Sequence, residues 1–226
     1  MNRNPLSVAI ITKNAENKLG ACLESVAFAD EIVIVDSGST DRTEEVAKKF
    51  DVRWHCEPWK GYGPQKNSAI AKCSHDWVLS IDHDERVPVE TARKITEILS
   101  SEVPADAYSF RRKNFFRGRW IKVAGWWPDE VTRLLRKSRG KYVRLIHEDW
   151  ETEGRVEKTP FEIEHYSFDT YSDMFLVMNS YSTLTAEQLH AEGKTAGPAD
   201  ALFRLAWMFF RTYFLKLGFV AGFDGF

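Results

Sequence analysis

Strand and helix signals alternate along the first hundred residues, and this alternation most narrows the folds open to the chain. Short apolar runs rich in Val and Ile predict buried strands, and apolar residues at helical spacing, such as Leu19, Leu23 and Val26, predict helices between them. The predicted strands are 6–12, 31–36, 52–55 and 77–81, and the predicted helices are 16–26, 43–50, 65–71 and 88–99. Repeated β-α units predict an α/β fold with a mostly parallel sheet flanked by helices.

Polar residues follow three of these predicted strands at their carboxyl ends. Thr12 and Asn14 follow the first strand, Asp36 ends the second, and Asp82-His83-Asp84-Glu85 follows the fourth. Open α/β sheets bind their ligands at this edge. Three acids within four residues repel one another, which favours a hard divalent cation held by carboxylates and shared with a substrate phosphate. The alternative is a solvated acidic turn.

The composition is that of one large globular domain. The chain has 226 residues, of which 43% are hydrophobic and 28% charged, and its net charge of −2 argues against bulk nucleic-acid binding. Cys22, Cys56 and Cys73 lack metal-ligand spacing, and no signal peptide is visible, so we expect a cytoplasmic protein with reduced thiols. A nucleotide would be held by strand-end acids and a metal, because neither Gly-x-Gly-x-x-Gly nor a P-loop pattern is present.

The middle of the chain carries a basic block with tryptophans among its charges. Only Asp129 and Glu130 oppose its cations, and Trp120, Trp126 and Trp127 are interleaved with them. The twelve basic residues are Arg111, Arg112, Lys113, Arg117, Arg119, Lys122, Arg133, Arg136, Lys137, Arg139, Lys141 and Arg144. Such a block indicates an anionic partner, such as a phosphate, an acidic sugar, a lipid head group or a nucleic acid. A solvated basic face is the alternative.

Four ordered motifs in the first hundred residues indicate a family. They are Ser7-Val-Ala-Ile-Ile-Thr-Lys-Asn14, Ile32-Val-Ile-Val-Asp-Ser-Gly-Ser-Thr-Asp41, Gly63-Pro-Gln-Lys-Asn67 and Ser80-Ile-Asp-His-Asp-Glu85. With them the chain resembles the inverting family 2 glycosyltransferases of the GT-A fold. In the second half, the segments 127–129, 133–136, 146–148 and 165–167 resemble the bacterial subgroup that adds glucose to the lipopolysaccharide inner core.

The resemblance implies a site for a UDP-sugar. Thr12 and Asp36 would contact uracil and ribose, with Asp36 accepting the N3–H of uracil, and Lys66 would lie near the base and ribose. Asn14 belongs to the same motif as Thr12. Many relatives have an acid directly after that Asn, whereas here Ala15 stands there, and Glu16 is the candidate for the contact.

The resemblance also implies a metal motif at Asp82-His83-Asp84. Asp84 would be the direct ligand, and Asp82 would contact ribose or support the metal shell, while Glu85 would be structural. The cation, Mn²⁺ or Mg²⁺, would bridge the two phosphates and offset charge on the departing UDP.

Inverting transfer needs a base that takes the proton of the acceptor hydroxyl. Glu148 matches the His-Glu pair of the subgroup and is favoured. Asp149 is a close second, because Glu148-Asp149 echoes the Glu-Asp pair of other members, and Asp129 is a further candidate. Residues that would contact acceptor or phosphate are Arg133, Arg136, His147 and His165. A lone His is more often a satisfied core or loop residue.

The predicted organisation is a catalytic domain over 1–170, followed by a helical tail over 171–226. Within the domain, 1–105 would bind the nucleotide-sugar and 106–170 the acceptor. Charges such as Arg204 and Arg211 interrupt every apolar run of the tail before eighteen residues, so we expect an interfacial amphipathic helix and not a spanning one. A core or dimer helix is the alternative.

These features combine into one functional prediction. The enzyme would take a UDP-sugar, glucose being preferred, and transfer the sugar to an anionic or lipid-linked saccharide, while lying peripherally at the inner face of the cytoplasmic membrane. The alternatives are a non-catalytic nucleotide-sugar or anionic-glycan binding protein, a nucleotidyltransferase, and an RNA-binding protein using the basic block.

Overall fold

The computed structural model describes residues 3–101, 104–143 and 149–225, and it confirms the predicted α/β class. The strands are β1 (Leu6–Thr12), β2 (Glu31–Asp36), β3 (Arg53–Cys56), β4 (Trp77–Asp82), β5 (Glu85–Arg86), β6 (Ala107–Phe116), β7 (Arg119–Trp120), β8 (Glu130–Arg136), β9 (Gly140–Val143), β10 (Asp149–Thr152) and β11 (Val156–Phe168). The α-helices are α1 (Leu19–Ser25), α2 (Thr43–Ala47), α3 (Tyr62–Lys72), α4 (Val89–Ser100), α5 (Tyr171–Ala191) and α6 (Pro198–Phe210).

In the described residues, the main sheet has the order β3-β2-β1-β4-β8-β6-β11-β5, with β7 paired to β6. The first four strands in this order are parallel to their neighbours. Strand β8 joins β4 in antiparallel orientation, and β6 joins β8 in the same way. Strands β9 and β10 form a separate antiparallel pair. The parallel part brings the carboxyl ends of β1, β2 and β4 to one edge.

Strands β1, β2 and β4 are mostly apolar and almost entirely buried, because helices cover both faces of this part of the sheet. Ile10 and Leu79 pack on one face with Leu23 of α1 and Ile95 of α4. On the other face, the valines of β2 pack with Ile70 of α3. This two-sided burial explains why β1, β2 and β4 read as continuous Val- and Ile-rich runs in the sequence.

Helix α2 begins at Thr43, and its N-cap residue is Arg42. Ser39 and Thr40 are of types that often cap helices, but here the hydroxyl of Ser39 donates to the carboxylate of Asp36, and the backbone N–H of Thr40 donates to the side chain of Asn14. Asp41 instead accepts a hydrogen bond from the backbone N–H of Thr43 at 3.0 Å. The polar groups of Ser39 and Thr40 therefore bond to neighbouring side chains in the loops and do not cap α2.

The chain divides into two compact units. Unit 1 comprises Met1–Arg112 and Glu130–His165, and unit 2 comprises Lys113–Asp129 and Tyr166–Phe226. Unit 1 holds the parallel strands and helices α1 to α4, and unit 2 holds the β7 hairpin with α5 and α6. In the part of the chain that the structure describes, no helix has the length and apolar character to cross a membrane. The functional boundary expected at residue 170 stays a prediction.

The contacts of Glu31 are expected to make the stability of the fold depend on pH. Its side chain is 11% exposed and ties β2 to β1 and β3. Burial raises the pKa of this carboxyl, but hydrogen bonds from Ser7, Ser74 and Arg53 outweigh it and lower the pKa to about 2. Because the folded-state pKa is the lower one, the stabilisation is present above the unfolded-state value of 4.5 and is lost as the pH falls through about 2.

We expect Glu31→Gln to lower the free energy of unfolding by about 3 kcal/mol at pH 7 and by little near pH 2, where most of the advantage of the ionised Glu31 carboxylate has been lost. Urea unfolding at the two pH values measures this difference. Glu24→Gln, at an exposed position, is the control. A loss of equal size at both pH values would contradict the assigned cause.

Candidate functional site

Thr12 and Asp36 are register partners at the carboxyl ends of β1 and β2. The carboxylate of Asp36 accepts the backbone N–H groups of Gly38 and Ser39, each at 2.8 Å, and the φ of 83° at Gly38 allows this tight turn. The hydroxyl of Thr12 is buried and has no hydrogen-bond partner among the described residues. A buried hydroxyl in that condition favours a ligand that supplies the missing hydrogen bond.

Asn14 and Glu16 connect the loop after β1 to the loop before α2. The side-chain oxygen of Asn14 accepts the backbone N–H of Thr40 at 2.8 Å. The carboxylate of Glu16 accepts the backbone N–H of Arg42 at 3.0 Å and its side-chain Nε at 3.1 Å. Both residues therefore hold together the two loops that border Thr12 and Asp36.

Asp82 ends β4, next to Ile11 of β1, and its carboxylate lies between two buried cations. The Nζ of Lys66 lies 3.0 Å from Oδ1, and the guanidinium of Arg133 donates to Oδ2 at 2.9 Å. Lys66 is 2% exposed and Arg133 is 4% exposed. Burial raises the pKa of Asp82, but Lys66 and Arg133 outweigh it and hold that pKa well below its usual range. Asp82 is thus a charge-balanced anion.

Glu85 stabilises the acidic turn at residues 82–85 through a buried ion pair and a hydrogen bond to the backbone. Its side chain is fully buried, and its two oxygens accept hydrogen bonds from Arg133 at 3.0 and 2.7 Å. One of these oxygens also accepts the backbone N–H of Asp82 at 3.1 Å, and the guanidinium of Arg112 lies 3.6 Å from the other. Glu85 therefore binds Arg133 and the backbone of the acidic turn.

Asp84 lies beside His165, with 3.4 Å between Oδ2 and Nε2. Their side chains are 17% and 18% exposed, so a ligand can reach them. Burial raises the pKa of Asp84, but His165 outweighs it and lowers the pKa to about 2, so the carboxylate is ionised at neutral pH.

The carboxylate of Asp84 fits a divalent cation of the Mg²⁺ or Mn²⁺ type, whereas an imidazole such as that of His165 is a more common ligand of transition metals. Within the described ranges, no group of three or more His, Cys, Asp or Glu side chains is arranged to hold a metal. With the described side chains alone, a cation at Asp84 and His165 would complete its shell with oxygens from substrate phosphates and water, which is how Mg²⁺ is usually bound in phosphate-transfer sites.

The structure does not bring Arg136 to this group. Arg136 pairs with Trp77 at the amino end of β4, whereas Asp82 is at the carboxyl end. Its guanidinium lies near Asp76 and Asp106 and over the ring of Trp77. The prediction that Arg136 contacts phosphate at this group of residues is therefore not supported by its position.

Of the three candidate bases, Asp149 is the exposed first residue of β10. Glu148 and His147 lie outside the described residues. The third candidate, Asp129, accepts a hydrogen bond from the side chain of Asn114 at 2.9 Å in unit 2.

Tyr142 of β9 is a neighbour of the site that no sequence motif indicates. The Nζ of Lys66 lies 5.4 Å from the centre of its ring. Asn67, in the third motif, accepts the backbone N–H of Tyr142 at 2.9 Å and donates to its carbonyl at 2.8 Å. One function of that motif is therefore to attach β9 to α3 beside Lys66.

A cavity of about 460 Å³ lies between α4 and β11, and its lining includes Lys94, Tyr108 and Phe161. None of the predicted site residues that the structure describes lines it. The polar side chains that converge at the strand ends, and not this cavity, are the candidate site.

Comparison with known proteins assigns the family. The profile of the family described as Glycosyl transferase family 2 matches residues 7–151, which run from β1 into β10 and contain the acidic turn. The chain belongs to glycosyl transferase family 2. This glycosyltransferase is therefore an enzyme, which decides against the alternatives of a non-catalytic binding protein and a nucleotidyltransferase.

Two relatives cover almost the whole chain. The lipopolysaccharide core biosynthesis glycosyltransferase LpsC of Rhizobium meliloti (strain 1021) is 33% identical over 98% of this chain and 85% of its own length. An uncharacterized glycosyltransferase of Rickettsia prowazekii (strain Madrid E) is 30% identical over 98% of this chain and 80% of its own length.

Two solved structures are similar over smaller parts. S. aureus TarS with UDP-GlcNAc is 20% identical, with a TM-score of 0.46 over 59% of this chain and 46% of that chain. The glucosyl-3-phosphoglycerate synthase of Mycobacterium tuberculosis, solved with Mn²⁺, UDP and glucosyl-3-phosphoglycerate, is 26% identical, with a TM-score of 0.41 over 51% of this chain and 45% of that chain.

Loss of the ion pair between Glu85 and Arg133 should have a large effect on stability. Glu85→Gln removes the main counter-charge of a buried guanidinium, so we expect a loss of roughly 3 kcal/mol in the free energy of unfolding. Glu97→Gln, which removes an exposed carboxylate paired with Arg93 on α4, should change it little. Chemical denaturation of both variants measures the difference. Equal effects of the two changes would mean that the Glu85–Arg133 pair does not hold the turn.

Proposed function

We propose that this family 2 glycosyltransferase moves a sugar, glucose in the first instance, from a UDP-sugar to a lipid-linked or lipopolysaccharide-core saccharide with inversion. The main support is the convergence of Thr12, Asp36 and Asp82 at adjacent strand ends, with Asp84 and His165 beside them. The similarity to a lipopolysaccharide core glycosyltransferase supports the acceptor class.

Thr12 and Asp36 would bind the uridine. The backbone N–H groups of Gly38 and Ser39 hold the carboxylate of Asp36 in place, and carboxylate oxygens can accept further hydrogen bonds. Uracil presents an N3–H donor where cytosine presents an acceptor, so a fixed carboxylate there favours uracil. The free hydroxyl of Thr12 is available to the same nucleoside.

Asp82 would orient the ribose and not bind the cation directly. Lys66 and Arg133 already balance its charge, so its oxygens are weak competitors for a metal but good acceptors for a hydroxyl. The same two cations keep the acidic turn from repelling the diphosphate of the donor. Lys66 thus acts on the nucleotide through Asp82.

Asp84 and His165 would hold the divalent cation. When bound, the cation offsets negative charge on the diphosphate and on the departing UDP. Glu148, or Asp149 at the start of β10, would take the proton of the acceptor hydroxyl as it attacks the anomeric carbon from the face opposite UDP.

A donor screen with the purified protein tests this function. We expect UDP release from UDP-glucose, UDP-galactose or UDP-N-acetylglucosamine, loss of release on chelation, and no turnover of GDP- or CMP-sugars. Asp84→Ala should lower the rate by about 10²-fold or more, as for other lost electrostatic groups. Glu90→Gln, at an exposed site on α4, should not. A preference for GDP- or CMP-sugars would overturn the role of Asp36, and full activity of Asp84→Ala would overturn the metal site.

We also propose that α6 and the turns after it lie on the inner face of the cytoplasmic membrane. None of the residues of α6 is buried, although the helix is mostly apolar. Leu202, Phe203 and Leu205 are 69%, 71% and 70% exposed. Such a helix is stable when its apolar surface leaves water, and Arg204 and Arg211 supply the cations that interfacial helices place at head groups.

Sedimentation with anionic liposomes tests the membrane contact. Replacing Leu202, Phe203 and Leu205 together by Ser removes much of the apolar surface, and we expect the bound fraction to fall at least tenfold while UDP binding is retained. Val89→Ser, at an 83% exposed position in unit 1, is the control. Unchanged liposome binding of the triple variant would overturn the contact.

A further inference from the structure

The loop between β3 and α3, residues 57–61 of unit 1, begins and ends beside the carboxyl end of β2. At its start, the backbone N–H of Glu57 donates to the carbonyl of Asp36 at 2.9 Å. Behind its end, in the first turn of α3, the side-chain Nε2 of Gln65 donates to the hydroxyl of Ser37 at 3.2 Å. Both ends of the loop are therefore attached next to the strand end proposed to bind uracil.

Side chains of α3 hold the start of this loop. The carboxylate of Glu57 accepts the hydroxyl of Ser68 at 2.6 Å and lies 2.6 Å from the Nζ of Lys72. Within the loop, the Nζ of Lys60 donates to the same carboxylate at 2.8 Å. Hydrogen bonds from Lys60, Lys72 and Ser68 lower the pKa of Glu57 to about 2, so its carboxylate is ionised at neutral pH. The loop is thus held in place before any ligand arrives, which lowers the cost of binding.

Trp59 lies in this loop and presents its indole to solvent. It is 46% exposed, and it is the only exposed aromatic residue among those of unit 1 that the structure describes. The ring of Tyr62 meets it edge to face, with 4.8 Å between ring centres. Tyr62 in turn packs against a buried apolar cluster that includes Ile11 and Val35, near the carboxyl ends of β1 and β2. Tyr62 therefore joins Trp59 to the core on this side of the strand ends.

A pyrimidine base needs two kinds of contact. Hydrogen-bonding groups such as those of Thr12 and Asp36 reach the edge of the ring, whereas aromatic side chains cover its two faces well. The loops after β1 and β2, residues 13–16 and 37–41, contain no aromatic residue. The adjacent loop supplies one at Trp59. Exposed apolar residues are common on protein surfaces, so the position of Trp59, and not its exposure alone, carries the inference.

We propose that Trp59 stacks on the uracil of the donor while Asp36 binds its edge, and that Tyr62 positions the indole. Stacking adds affinity but little choice among bases, because every base has a π-face. Asp36 would therefore select uracil, and Trp59 would supply much of the affinity for the base. This inference rests on the proposed function for the identity of the donor.

Titration calorimetry of the full chain with uridine and with UDP tests the stacking role. We expect Trp59→Ala to weaken both ligands by the same factor, roughly tenfold, as for the loss of one base–aromatic contact. Trp59→Phe should retain most of the affinity. Inorganic pyrophosphate with Mn²⁺ carries no base, so wild type and Trp59→Ala should bind it alike. Phe175→Ala, at a 62% exposed position in unit 2, is the control for loss of an exposed aromatic side chain.

Fluorescence gives a second measurement, which a purely structural role of Trp59 would not affect. A base stacked on an indole quenches its emission, so uridine should lower the fluorescence of the wild-type protein. Trp59→Phe should lose this change although uridine still binds. Quenching of equal size in Trp59→Phe would contradict the stacking.

Three further results would overturn the stacking role: equal affinity of wild type and Trp59→Ala for uridine, a loss confined to UDP-glucose with uridine unchanged, or an equal loss toward pyrophosphate or in Phe175→Ala. Asp36→Ala, measured in parallel, separates this inference from the proposed function. A loss of uridine binding in Asp36→Ala but not in Trp59→Ala removes the stacking and leaves the donor site standing. A wild-type protein that binds neither uridine nor UDP contradicts the proposed donor site itself, and the stacking with it.

Discussion

Arg133 and Glu85 form a buried ion pair beneath the turn that carries Asp82 and Asp84, and the site depends on it. Three carboxylates within four residues would repel one another strongly in a poorly solvated position. Arg133 contacts two of them, Asp82 and Glu85, and Lys66 adds a second cation at Asp82. Glu85 in turn accepts the backbone N–H of Asp82. These contacts hold the acidic turn in place at the strand ends, and Arg133 and Lys66 balance its negative charge.

The parallel part of the fold was largely predictable, because local pattern and burial agree there. Strands β1, β2 and β4 are buried on both faces, so their Val- and Ile-rich runs end where the structure ends them, within one residue. The antiparallel extension through β8 and β6 was not predictable in the same way. Its strands are partly exposed, and their partners are distant in sequence, so no local pattern records the pairing.

The site was predictable where sheet geometry brings residues together. Thr12, Asp36 and Asp82 end neighbouring strands, so their adjacency follows from the strand order. Arg133 and Arg136 could not be told apart by motif. They are three positions apart on β8, so they point to opposite faces, and only Arg133 reaches the acidic turn. The place of Tyr142 could not be predicted from the sequence, because it is fixed by a hydrogen bond from its backbone N–H to the side chain of Asn67, which is distant in the chain.

The balance of charge around Asp82 has a consequence for the order of events at the site. Many metal sites form only when the ion is present, and their binding energy is then used to fold the protein. Here Lys66 and Arg133 already neutralise the charge of Asp82, so we expect the protein to fold without a bound ion. In the part of the chain that the structure describes, Asp84 and His165 are the side chains that we propose for the cation, and its remaining ligands would come with the donor. In the proposed reaction, retention of the ion would therefore depend on the diphosphate, and release of UDP would release the ion as well.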